Sequence, residues 1–253
     1  MDGRHPYCKP CLLTYQRERR RQRLDRANPH RRRWSRDFVR HDYFEQVTEP
    51  AHAYVAGLLA ADGNILERQQ RITLELSSRD RNLVHFVRDE LAPGFPVRMR
   101  VRRNEMKTAV LAITSSQLCA DLCKVGITPR KSLTLRWPET LERLAARLFL
   151  LGYFDGDGFV TQTRNGPYVY PRWGLLGTEG FLAAARDFIS DEAGVSPRRI
   201  RRHGERNVYV LHINGRDARL VDRWLHSDTA LGLRRKQLEL DQADSAANSS
   251  SLL

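Results

Sequence analysis

The chain has 253 residues, 41% of them hydrophobic, and 43 Lys/Arg against 30 Asp/Glu give it a net charge of +13. That length holds one large domain or two modest ones with a sizeable core, and the charge implies a polyanionic partner, nucleic acid being the commonest. The longest apolar runs, such as LFLLGYF, fall short of the ~20 residues of a membrane span, and four cysteines are too few for a disulfide framework. The Arg-rich start has no apolar signal-peptide core, so a cytoplasmic, nucleoid-associated protein is expected.

Residues 1–42 form a basic arm with 13 Arg/Lys against 5 Asp/Glu. Its stretch LLTYQRERRRQRLDRANPHRRRWSR reads as a helix broken at Asn28-Pro29, with no core behind it and flexible until it meets phosphates. A merely solvated surface is the bland alternative, but clustered arginines suit a phosphate backbone better. Within the arm, YCKPC sets Cys8 and Cys11 at zinc-knuckle spacing, with His5 as a third candidate ligand. A structural zinc site needs four ligands and no second C-x₂-C exists, so bound Zn²⁺ is not expected there. Cys119 and Cys123, four apart on an apolar helix stripe, read as core residues.

The stretch AYVAGLLAADGNI (residues 53–65) reads as an apolar helix ending on a carboxylate, Asp62. The helix macrodipole favours cations at that end, so the placement is unfavourable by itself. Two strands follow, the second, RITLEL, near Arg71 to Leu76. SSRDRNLVHFVRDEL opens with a serine cap and sets Leu83, Val87 and Leu91 on one stripe. VRMRVRR alternates: Val97, Met99 and Val101 share a face expected to pack on helices, and Arg98, Arg100 and Arg102 share the other. AVLAIT is its hairpin partner and SSQLCADLCKVGI a second capped helix. LFLLGYFDGDGFV (148–160) then repeats the first helix, with Asp157 lying 95 residues after Asp62. Behind it the order returns: strands through YPRWGLL, helix GTEGFLAAARDFI, basic strand RRIRR, strand VYVLHI and helix GRDARLVDRWL.

The chain is therefore expected to adopt an α+β fold of two tandem αββαββα repeats, residues 47–141 and 142–240, with a disordered polar tail over 241–253. Two sheets side by side would form a basic saddle, with Arg71, Arg98, Arg100 and Arg102 from one half and Arg199, Arg201 and Arg202 from the other. Solvated sheet arginines are the alternative; recurrence in both halves favours a groove for nucleic acid. Small residues at Ala56, Gly57, Ala60, Ala61, Gly152 and Gly156 imply close approach of the two apolar helices, because glycine inside a helix costs about 1 kcal/mol relative to alanine. Paired in this way, the helices bring Asp62 and Asp157 together. Two carboxylates ~4 Å apart repel by roughly 4 kcal/mol at an effective dielectric of 20, a conflict that a divalent cation removes. Singly, each Asp-Gly is also a plain helix stop. As a pair they point to metal.

VAGLLAADG (55–63) and LLGYFDGDG (150–158) resemble the two signature motifs of the LAGLIDADG homing endonucleases in their single-chain form, and the resemblance runs over roughly residues 47–240. It implies that Asp62 and Asp157 bind Mg²⁺, replaceable by Mn²⁺, with the main-chain carbonyls of Ala61 and Gly156 assisting. Ala60 departs from the pattern where many members carry an aspartate, as the second motif does at Asp155; that position is not the metal ligand. The resemblance also implies a lysine late in each half, Lys131 in GITPRKSLTL and Lys236 in LGLRRKQLEL, that stabilises phosphate charge or positions water. A water-organising residue is implied near Glu75.

The activity so implied is metal-dependent hydrolysis of both strands of duplex DNA by a monomer, as in a mobile intron or phage element. Cutting would run across the minor groove of a long, partly asymmetric target while the sheets read the major groove. The start of the chain resembles the second half of a two-knuckle module in front of some phage nucleases. A non-cleaving DNA-binding regulator and an RNA maturase share the fold and are the rivals; loss of the terminal aspartates would mark the first, and both are present. A splicing intein is not expected, because a terminal His-Asn pair is missing.

Overall fold

A computed structural model describes residues 38–103, 105–204 and 208–238. The expected arm up to Asp37, with Cys8 and Cys11, and the expected tail over 241–253 lie outside the described residues.

The first half runs α1 (Pro50–Asp62), β1 (Gly63–Leu66), β2 (Arg71–Ser77), α2 (Arg81–Leu91), β3 (Arg98–Val101), β4 (Lys107–Thr114) and α3 (Ser116–Lys124). The second repeats it as α4 (Arg143–Asp157), β5 (Gly158–Asn165), β6 (Tyr168–Gly177), α5 (Glu179–Ala193), β7 (Ile200–Arg202), β8 (Tyr209–Asn214) and α6 (Gly215–Leu225). Each half builds one antiparallel sheet, ordered β1-β2-β4-β3 and β5-β6-β8-β7. The α+β architecture of paired αββαββα repeats is thus the one the chain adopts, and equivalent positions keep equivalent registers. Arg71 faces Thr114 in one sheet as Arg172 faces Asn214 in the other.

Period-two alternation sorts the faces. Ile72, Leu74, Leu76, Ala109, Leu111 and Ile113 are buried under the helices of the first sheet; Trp173, Leu175, Leu211 and Ile213 do the same in the second. Residues between them, Arg71, Thr73 and Glu75 among them, turn to the open face. Side-chain caps start two helices: Ser115 Oγ accepts from Leu118 N at 3.2 Å, and Thr178 Oγ1 from Phe181 N at 3.2 Å. The serine cap expected on α2 is displaced. Ser77 instead caps a 3₁₀ turn, Ser78–Asp80, and α2 begins only at Arg81.

Helices α1 and α4 occupy the centre, buried on every side from Ala53 to Ala60 and from Ala145 to Asp155, which is why their sequences are apolar all round. A Cβ on Gly57 would overlap the Phe149 carbonyl oxygen and stand 2.9 Å from Tyr153 N; one on Gly152 would overlap the Tyr54 oxygen and stand 2.9 Å from Leu58 N. The crossing is backbone against backbone, as the small residues require. Phe154 stacks on Trp173 with centroids 4.7 Å apart, tying α4 to its sheet.

The packing expected for one face of β3 also fails. Met99 and Val101 are 58% and 64% exposed rather than packed on helices. Their strand β3 is the sheet edge, and α2 covers β2 and β4 without reaching its outer end. Cys119 is buried and Cys123 half-buried on α3. Among the described residues no helix is long and apolar enough to cross a membrane.

Candidate metal centre and nucleic-acid interface

Asp62 is the last residue of α1 and Asp157 the last of α4, and each chain passes directly into a strand. The capping glycines are extended, with φ of −75° at Gly63 and −89° at Gly158, so no left-handed turn explains them. Space does: a side chain there would run into Leu59 or Phe154. Gly156 faces Asp62, and a Cβ on it would lie 2.8 Å from Asp62 Oδ2. The first carboxylate therefore rests against the end of the other motif helix.

Burial, then the charge of Asp157, pushes the Asp62 carboxyl up to about 6, against the pull of Lys236 and Lys131. Asp62 is nonetheless exposed to solvent at its surface, so water moderates that shift substantially. Burial also raises Asp157, opposed by Lys131, Lys236 and a hydrogen bond with Tyr153. Both carboxylates are held where ionisation is costly and a cation would relieve it.

The two lysines reach these helix ends in unequal ways. Lys131 Nζ donates to the Ala61 carbonyl at 2.9 Å. Lys236 Nζ lies 2.7–3.0 Å from the carbonyl oxygens of Phe154, Asp155, Gly156 and Gly158. Three protons facing four acceptors leave that ammonium saturated. It plugs the end of α4, where unpaired carbonyls and the macrodipole attract a cation. Burial lowers the pKa of both lysines, while the nearby aspartates raise it.

Several residues at the centre were not singled out from sequence for these contacts. Asp155 Oδ2 accepts from Tyr54 at 2.6 Å and from Leu233 N at 3.0 Å, so the second motif's earlier aspartate ties both helices to the Lys236 loop. Arg235 makes a two-pronged pair with Asp80 at 2.9 and 2.7 Å, anchoring the same loop to the first half. No local sequence signal announces contacts between residues this far apart in the chain.

On the open face, register places Arg98 and Arg100 side by side on β3 with Arg102 just beyond the strand, while Arg71, opposite Thr114, shares the face from the other end of β4. Arg201 shares the corresponding face of the second sheet, opposite Val210, with Arg199 just before the strand; Arg202 pairs with Tyr209 on the opposite face. Adjacent strand residues cannot share a side, so the expected trio divides. Arg172 is the open-face arginine that was missed, although YPRWGLL sets it beside the buried Trp173. Its Nε donates to Asn214 Oδ1 at 2.9 Å and an NH₂ to Thr163 Oγ1 at 2.8 Å. Glu75 is engaged on this face too, by Arg100, Arg102 and Thr108.

Among the described residues no three His, Cys, Asp or Glu side chains converge on a metal position. Two carboxylates still fit Mg²⁺, which commonly takes one or two protein carboxylates and completes its shell with water and substrate phosphate.

Comparison with solved structures finds this fold elsewhere. The LAGLIDADG homing endonuclease I-SmaMI, bound to an uncleaved DNA target with calcium, superposes at a TM-score of 0.50 and 11% identity, over 74% of this chain and 87% of that one. The LAGLIDADG meganuclease I-AabMI bound to uncleaved DNA gives 0.48 and 14%, over 81% and 91%. Full-length DUF199/WhiA from Thermatoga maritima gives 0.47 and 15%, over 85% and 72%. No family model matches the sequence, and no curated protein sequence matches it significantly. The chain has the LAGLIDADG fold, with both motifs in one polypeptide; identities this low speak to the fold alone.

Proposed function

We propose that this protein is a single-chain, site-specific endonuclease that cuts both strands of duplex DNA with a divalent metal, Mg²⁺ or Mn²⁺, in the cytoplasm. The observation that carries this reading is the pair of carboxylates, Asp62 and Asp157, ending two packed helices beneath arginine-bearing sheets. These two side chains would hold the metal, with the Ala61 and Gly156 carbonyls bordering it. Bound metal supplies Lewis-acid stabilisation of the phosphate and an activated water.

The remaining work falls to the chain itself. Packing of α1 on α4 fixes the spacing of the carboxylates. Lys131, with one carbonyl partner among the described residues, is better placed than Lys236 to meet charge developing on phosphate. Lys236 acts by holding the end of α4 in place. Arginines on the two sheets supply phosphate contacts and base-edge contacts, and the sheets differ enough that one copy would read a long, partly asymmetric site.

Incubating the protein with a duplex library and Mg²⁺ tests this. Asp62→Asn and Asp157→Asn should each abolish double-strand cleavage with DNA affinity kept within about threefold. A variant that cuts both strands at the wild-type rate would refute the site. A wild-type chain that binds and never cuts would make it a regulator.

A further inference from the structure

Glu75 stands on β2 among arginines and neutral side chains on the open strand face. Its Oε1 accepts from Arg102 Nε at 3.0 Å and Thr108 Oγ1 at 2.7 Å, and its Oε2 from Arg100 at 3.3 Å. The carboxylate side chain is 14% exposed, the two arginine side chains 61% and 53%. The acid therefore forms a floor from which two guanidinium heads project into the groove. These partners hold the Glu75 carboxyl below its usual range, the Arg102 bond first.

We infer that Glu75 determines specificity, holding Arg100 and Arg102 as base-edge readers and keeping them off the phosphates; the inference rests on the DNA-binding reading above. A long arginine on an edge strand would otherwise swing to the strongest negative field, the backbone, where it carries no sequence information. A carboxylate partner offsets that charge and removes rotamer freedom before DNA arrives. Arg102 uses Nε for Glu75, which keeps its two terminal nitrogens for a two-pronged contact such as guanine O6 and N7.

Among the described residues the second sheet lacks this device. Its equivalent position is Leu176, opposite Val210 as Glu75 is opposite Val110. Arg172 there is held by the neutral Asn214 and Thr163 instead. The half-site under the first sheet is thus read with two arginines partly neutralised by a carboxylate, whereas Arg172 of the second sheet is held, among the described residues, by neutral groups. Discrimination should be concentrated in the first and salt-dependent affinity in the second.

Glu75→Gln keeps the shape and removes the charge. Its binding to random duplex should steepen with salt by about one to two units of log–log slope, about 0.9 for each arginine released to a phosphate. Selection from a library should lose preference in one half-site only. Heparin chromatography gives an arm that needs no specific DNA reading, and the variant should elute at higher salt. In an Arg100→Gln/Arg102→Gln background, Glu75→Gln should change neither slope nor preference, which a general folding defect would not reproduce. An unchanged slope and preference in the single variant overturns the inference while the DNA-binding reading stands. So does lost cleavage at unchanged binding, which would make Glu75 a water-organising residue. Wild-type protein that binds no duplex overturns both.

Discussion

Asparagine at position 62 should make the metal-free protein more stable above neutral pH, and the size of the gain follows from the site. The Asp62 carboxyl rises from 3.8 to about 6, chiefly through burial and then through Asp157. A raised folded-state pKa means that the native chain binds more protons than the unfolded one between those values. Stability from this group is full below about pH 4, declines as pH rises, and is gone above about pH 6 to 7. Taken whole, the shift corresponds to about 3 kcal/mol; the solvent exposure of Asp62 brings the expected difference nearer to about 1–2 kcal/mol.

Urea unfolding in EDTA, at half-unit steps from pH 4 to pH 8, measures it. Glu75 and Asp89, whose pKa values are lowered by arginine partners, act with the opposite sign in both proteins and cancel in the comparison. The variant should match wild type at pH 4 and exceed it by about 1–2 kcal/mol at pH 8. Millimolar Mg²⁺ should then stabilise wild type more than the variant and close the gap. A difference independent of pH, or wild type gaining the advantage without metal as pH rises, would refute the account of the carboxylate pair.

Gly152→Ala should lose about 2–3 kcal/mol or more despite alanine's better helix propensity, because its Cβ would overlap the Tyr54 carbonyl; urea midpoints measure it. Lys236→Met should cost about 2–4 kcal/mol by stranding carbonyls at the end of α4, and Lys131→Met distinctly less, with thermal melts giving the order. Deleting residues 1–37 should flatten the log-affinity against log-salt slope by several units and weaken target and random duplex alike, leaving the selected sequence unchanged.

Sequence resolved the repeat because two local signals coincide in it. Alternation sorts strand faces, and a cap such as Ser115 punctuates the helices, so element order needs no tertiary knowledge. The meeting of α1 and α4 was legible for a different reason: glycines at 57 and 152 are costly in a helix unless another backbone lies against them. Alternation says which residues share a face and not whether anything covers that face, and Met99 and Val101 are exposed for that reason. Lys236 shows a second limit. A cation near a helix end satisfies a substrate phosphate or a set of carbonyls equally well, and only the loop path that buries its ammonium among four oxygens separates the two. Glu75 shows a third. Its place on the open face follows from period two, but its arginine partners stand on β3 and just beyond it, across the intervening β4, and strand order is set by packing rather than by spacing in the chain. What stays hidden in each case is a contact between distant segments. In this molecule such contacts separate the two halves chemically: a repeat that looks even in sequence puts a carboxylate under the arginines of one sheet and a leucine at the matching place in the other.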